Sequence, residues 1–464
     1  MCGAVGFRKG GTVTHPREGG RKFPFGSDPS FTRRDFLRRS ATAAATVPLA
    51  GAILAACGKN PRTQSVASGA NGGIARPDNP VTLPVDQNMM IGDGLASEEG
   101  PLQIYNWEQY IAPRTIKNAS AALGVDINVT TFNTMDEAIS KLTNGKLEYD
   151  IFFPTKDIIG RLVAVGLIRP LNHSYLPNLS NVWSSFTDPG KPFWDVGQKY
   201  TVPYTIYTTG IGYRVDANTP NAHITRDVSQ LGTTIPSMDN PYDILWDTSW
   251  KPYVHLMNDY REALSMAMLR RGVTDINTDK ASTRTKVVDQ ARDDLIEGVN
   301  TMDWKFDISD YTDLPEAQSY IHQGWSGDFV SVQYYYPSWS PRDVIKYWYP
   351  TNHKGAVGGD HISILSGGKN PVLAHKFLDF MLDFDNSMIN FTWVGYQPPQ
   401  KQITDPNSLL KNSPNPLTPY NVIPPQLATA VVSQDDFDQG YQELELAPDV
   451  DNLWKTAWEA VQTA

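Results

Sequence analysis

A chain of 464 residues is long for one hydrophobic core, so two domains or lobes are expected. The formal net charge of −10 is unevenly spread, because residues 1–56 hold nine Lys/Arg against three Asp/Glu and the rest is correspondingly more acidic. An acidic body argues against nucleic acid as a partner and is compatible with a cationic one, while Cys2 and Cys57 both precede that body and leave it no disulfide or cysteine metal site.

The leader comes first. Thr32-Arg33-Arg34-Asp35-Phe36-Leu37-Arg38 resembles the twin-arginine export motif. An Ala-rich apolar run, Ala41 to Ala56, follows and is too short to span a membrane. It ends in Leu54-Ala55-Ala56-Cys57-Gly58, which resembles a lipoprotein box, a signal whose Cys becomes the lipid-bearing N-terminus. Residues 57–100 are rich in Pro, Gly, Ser and Asn and read as a flexible tether.

Folded periodicity begins at Leu102. Leu102 to Trp107 alternates as a strand and spills into a loop that carries Trp107 and Tyr110 and ends at Pro113, a residue suited to a helix's first turn. A helix is expected over Arg114–Leu123 with Gly124 as its C-cap, then a strand over Val125–Val129, a helix over Asp136–Leu142 and a buried strand over Tyr149–Phe153. This βαβαβ order implies a mostly parallel sheet with right-handed crossovers. Further elements are a helix over Ile158–Val165, extended runs at Thr201–Tyr204 and Gly210–Tyr213, a strand at Val254–Leu256 and helices over Tyr260–Arg271 and Lys286–Gly298. An aromatic strand region over Gly324–Tyr336, a strand over His361–Leu365 and helices over Pro371–Phe384 and Asp451–Thr463 complete the chain.

Several constellations carry chemistry. Asp259-Tyr260-Arg261-Glu262 has first of all the spacing of a capping box, and the same pair could also place two carboxylates at a cleft mouth as charge-assisted acceptors for a cation. Asp360, between Gly358-Gly359 and a strand, has the propensity of a solvated turn residue. The aromatics from Trp325 to Tyr349 are mostly packing, although an aromatic face can hold an ammonium for about 0.5–2 kcal/mol. Signs of catalysis are thin: the eight His are scattered without a His-Glu-x-x-His, and Ser366-Gly367-Gly368-Lys369 lies in a turn where a Ser-x-x-Lys nucleophile needs a helix start. No catalytic residue and no metal ligand is assigned.

The order of motifs resembles the spermidine/putrescine-binding proteins of ABC importers, from about Leu102 onward. The carrying stretches are Tyr105-Asn106-Trp107-Glu108-Gln109-Tyr110-Ile111-Ala112-Pro113, Tyr149-Asp150-Ile151-Phe152-Phe153-Pro154-Thr155, Asp259-Tyr260-Arg261-Glu262-Ala263, Gly324-Trp325-Ser326-Gly327, Asp360 before a strand, and Gly395-Tyr396-Gln397-Pro398. The resemblance implies an α/β fold of the type II periplasmic-binding-protein kind, two lobes joined by crossing hinge strands, with no cofactor. Trp107, Tyr110 and Thr155 would line the first lobe, Asp259, Glu262 and Trp325 the second, with Asp360 and Tyr396 near the hinge and Gln442 close to the end. Carboxylates would meet ammonium groups and aromatic walls would sandwich the methylene chain. Two departures stand out: Lys156-Asp157 where the family has Tyr, and Gly358 where it has Trp, so that Trp107 and Trp325 would supply most of the wall. The implied segments are a signal over 1–56, a tether over 57–100, a first lobe over 101–208 and 359–407, and a second over 209–358 and 408–464.

The expected protein is thus a monomeric polyamine receptor, held to the membrane by a lipid at Cys57 and serving an ABC permease. Two alternatives compete: another solute on the same fold, with the adjacent Tyr334-Tyr335 suggesting ferric iron, or an exported hydrolase, for which no nucleophile–base arrangement is visible.

Overall fold

The structure, a computed structural model, describes residues 74–144, 148–218, 224 and 226–464. The twin-arginine motif, the apolar run and Cys57 lie outside the described residues.

Among the described residues ten strands form one hydrogen-bonded sheet: β1 (Leu102–Trp107), β2 (Ile127–Phe132), β3 (Ile151–Phe152), β4 (Thr201–Arg214), β5 (Val254–Met257), β6 (Lys305–Asp307), β7 (Ile321–Trp325), β8 (Ile345–Trp348), β9 (Ala356–Ile364) and β10 (Tyr441–Gln442). The order is β2-β1-β3-β9-β4-β7-β5-β6, with β8 added on β4 and β10 on β9. At one end β2, β1 and β3 run parallel, and at the other so do β6, β5 and β7. Between them β9 and β4 cross antiparallel, and β4 changes partner from β9 to β7 and β8 at about Thr209.

The expected order of elements is present, and local chemistry explains much of it. The helix Pro113–Leu123 starts on its proline and ends at Gly124, whose φ of 72° is the left-handed conformation that glycine adopts without steric cost. Apolar side chains gather in three clusters. One surrounds β1, β3, β9 and the first half of β4, a second packs the helices Tyr260–Arg270, Arg284–Met302 and Pro448–Gln462 on β5 and β7, and a third gathers Phe329, Tyr347, Phe391 and Tyr420.

Four expectations are corrected. The extended runs at 201–204 and 210–213 are one strand of 14 residues, continuous because its β-branched and aromatic residues are buried on both faces. The aromatic region after Gly324 is strand only to Trp325, then turns into the helix Ser326–Ser331, because Phe329 is drawn against Tyr347 and over Gly212 by tertiary packing that overrides local strand preference. Within the expected tether, Val81 and Leu83 are buried in the first cluster and Val81 exchanges backbone hydrogen bonds with Phe193 and Val196, so residues 74–100 include packed chain. Val432, Phe437 and Leu444, assigned by the resemblance to the second lobe, pack in the first cluster.

Candidate ligand-binding site

The crossing strand β4 is the spine of the site. Thr205, Tyr207 and Thr209 alternate onto one face of it, and each meets a predicted site residue. The Tyr110 hydroxyl lies 2.5 Å from Thr205 Oγ1 and donates to Asp360 Oδ2 at 2.6 Å. Thr209 Oγ1 donates to Glu262 Oε1 at 3.1 Å, and Trp325 Nε1 donates to the same oxygen at 2.5 Å. Between these ends, the Tyr207 ring stands edge-on to Trp325 (6.0 Å between centroids) and to Tyr396 (5.9 Å), and Tyr396 in turn contacts Tyr110 at 5.0 Å. A chain of rings thus connects Asp360 to Glu262.

The capping box resolves into two roles. Asp259 caps the helix Tyr260–Arg270, with Oδ1 accepting from the amides of Arg261 (2.8 Å) and Glu262 (3.1 Å). Glu262 does not complete the box; its carboxylate turns to Trp325 and Thr209, and Gln323 Nε2 fixes its backbone carbonyl at 2.9 Å. Asp360 is no solvated turn residue. It is buried within β9, paired by backbone to Thr155 and Thr205, and among the described residues its Oδ1 has no hydrogen-bond partner.

The electrostatics follow from burial. Desolvation raises the Asp360 carboxyl to about 7, with the Tyr110 hydrogen bond and the Lys156 charge pulling the other way. Burial, then the neighbouring Glu443 and Asp259, hold Glu262 well above the ordinary carboxylate range. Burial also raises Glu443 to about 7, opposed chiefly by Arg261, and raises Asp259 against the pull of its two amide hydrogen bonds. These acids are short of positive charge.

Lys156 points inward. Its Nζ donates to Gln442 Oε1 at 2.9 Å and lies 5.7 Å from the ring centroids of both Trp194 and Phe437, and burial lowers its pKa to about 8. Gln442 therefore reaches the site through Lys156. Trp107 is half-buried: its Nε1 donates to the Phe153 carbonyl and its ring packs on Phe132. The surface left by Gly358 is filled by Tyr207, since a Cβ at 358 would run into that ring. Tyr334 and Tyr335 do not converge: Tyr334 donates to the Thr392 carbonyl, and Tyr335 packs on Tyr311. Sequence reasoning missed Tyr207 and Glu443. The Thr205–Tyr207–Thr209 alternation was the available signal for the first, and Glu443 had only its adjacency to Gln442.

This two-lobed sheet with a buried acidic and aromatic centre defines a class. The chain matches the bacterial extracellular solute-binding protein family over residues 115–417, and it belongs to that family. Among curated relatives, a putrescine/cadaverine-binding protein of Pseudomonas aeruginosa is 28% identical over 301 residues, covering 64% of this chain and 79% of the relative. A spermidine/putrescine-binding periplasmic protein of Salmonella typhimurium is 26% identical over 311 residues, covering 66% and 79%. Among solved structures, the TpPotD lipoprotein of Treponema pallidum superposes with a TM-score of 0.60 at 18% identity, covering 78% of this chain and 99% of that one. The type II periplasmic-binding-protein fold expected from the sequence is borne out. No helix among the described residues is long and apolar enough to cross a membrane.

Proposed function

We propose that this protein is a polyamine receptor, exported by the twin-arginine route, lipid-anchored at Cys57, and delivering its ligand to an ABC permease. The observation that carries the ligand class is the set of buried carboxylates, Asp259, Glu262, Asp360 and Glu443, strung along the rings of Tyr207, Trp325 and Tyr396 with too few cations to neutralise them. An incoming ammonium would restore the balance at each end, and the rings would enclose its methylene chain. The relatives named for putrescine, cadaverine and spermidine support the same class.

Lys156 refines the reading. A cation built into the Asp360 end reduces the positive charge the ligand must bring, which favours a short diamine over the longer triamine. Calorimetry with putrescine, cadaverine, spermidine, ferric citrate and a neutral sugar tests this. The diamines should bind most tightly, and absence of heat with every amine would sink the proposal. A ligand at 100 times its dissociation constant should also add about 2.7 kcal/mol of stability.

A further inference from the structure

A second polar cluster lies along β5, β6 and β7 and shares no residue with the ligand site. His255 of β5, Asp307 at the end of β6, Asp313 of the helix Asp310–Asp313 and His322 of β7 each direct one donor atom to a common point, all within 4.8 Å of one another. His255 Nδ1 lies 3.1 Å from Asp313 Oδ2 and 3.3 Å from Asp307 Oδ2, and His322 Nε2 lies 3.2 Å from Asp307 Oδ1. Four donors bound to zinc at about 2.0–2.2 Å in a tetrahedron are separated by roughly 3.3–3.6 Å; the contacts here lie at or just below that spacing, shared between the two Asp307 oxygens, and the four donors together span up to 4.8 Å.

The tautomer of His322 points the same way. Its Nδ1 is 2.6 Å from the Gln323 carbonyl oxygen, which can only accept, so that nitrogen carries a proton. Its Nε2, on a fully buried ring, faces Asp307 Oδ1 at 3.2 Å. An imidazole that donates its other N–H to a backbone carbonyl is how metal-bound histidines are held. Asp307 Oδ2 is buried, with His255 Nδ1 at 3.3 Å and Lys305 Nζ at 3.1 Å as its charged neighbours. The Lys305 ammonium, 2.9 Å from Asp313 and 3.1 Å from Asp307, marks where positive charge is favoured, and its half-exposed side chain is free to swing outward.

We propose that His255, Asp307, Asp313 and His322 form a structural site for a divalent cation of the zinc type. Two imidazoles and two carboxylates suit zinc; calcium and magnesium prefer all-oxygen shells. With four protein ligands the site is closed to substrate. It would staple β5, β6 and β7; His255 lies four residues before Asp259, which caps the helix just beyond β5, and His322 three residues before Trp325 at the end of β7, so the metal would fix the strand ends that lead to them.

The test uses the full mature chain without polyamine, so it stands apart from the ligand reading. Protein stripped with EDTA, incubated with zinc sulfate and gel-filtered should retain one zinc per chain and melt several degrees higher, with no equivalent rise in magnesium. His322→Gln should lose both the zinc and the rise. Lys305→Ala, a surface change that removes the competing ammonium, should keep the fold and bind zinc severalfold more tightly. Absence of retained zinc in the stripped wild-type chain would overturn the proposal, as would wild-type stoichiometry in His322→Gln or unchanged affinity in Lys305→Ala. A proton-bridged network without metal predicts the first of these results, and zinc held elsewhere on the chain predicts the other two.

Discussion

Strands β5 and β7 each connect two acidic neighbourhoods. Along the strands lie Asp307 and Asp313 with His255, His322 and Lys305, while beyond the strand ends Glu262 accepts from Trp325, has Asp259 and Glu443 as charged neighbours, and shares the Tyr207 surroundings with Asp360. Burial acts on both groups, yet the outcomes are opposite. Hydrogen bonds from His255 and its neighbours hold Asp307 and Asp313 below the ordinary carboxylate range. Glu262, Glu443 and Asp360 are pushed above it, because neighbouring carboxylates and apolar rings offer little compensation. The difference is that the first cluster holds its carboxylates ionised beside imidazoles and a lysine, while the second lacks comparable partners until a cationic ligand arrives.

The largest effect should separate the clusters outright. Glu262→Gln should weaken polyamine binding by about 10–100-fold, the worth of a buried charge-assisted hydrogen bond, while Asp313→Asn leaves it within about twofold. Calorimetry on the two variants decides, and equal losses would erase the contrast. Next in size, Asp259→Asn should cost about tenfold in affinity at nearly unchanged melting temperature, because Asn caps a helix about as well as Asp; parallel losses in both quantities would make Asp259 a cap and nothing more.

The pH dependence has a defined sign. Asp360 and Glu443 bind a cation only when ionised, so affinity should fall as pH drops from 8 to 6, with proton release on binding detectable as a buffer-dependent heat. Stability without ligand should run the other way. Acids whose folded values are raised to about 7 hold more protons in the native state, so their contribution is lost as pH rises from about 4 to about 7. A ligand-free protein that gains stability across that window would contradict the assignment. A smaller shift is expected of Lys156→Met, which should improve spermidine relative to putrescine severalfold in competition binding. Least of all, Trp107→Phe should change affinity less than about twofold, since its ring packs on Phe132 and its N–H serves the Phe153 carbonyl.

Local rules in the sequence determined the order of elements. Strand alternation at Leu102–Trp107, Pro113 and Gly124 at the two ends of one helix and the Asp259 cap are all short-range effects, and all are present. Motif order also located Tyr110, Glu262, Trp325, Asp360 and Tyr396, which the structure joins through hydrogen bonds and ring contacts. Only the tertiary structure decided that Glu262 leaves its helix cap for Trp325, that Tyr207 fills the space beside Gly358, and that Lys156 turns inward to Gln442. The same holds for His255, Asp307, Asp313 and His322, four residues that look scattered along the chain until β5, β6 and β7 are laid side by side. Sequence spacing reports neighbours within a strand or a helical turn; neighbours across parallel strands are separated by whole connections, and only packing brings them within reach.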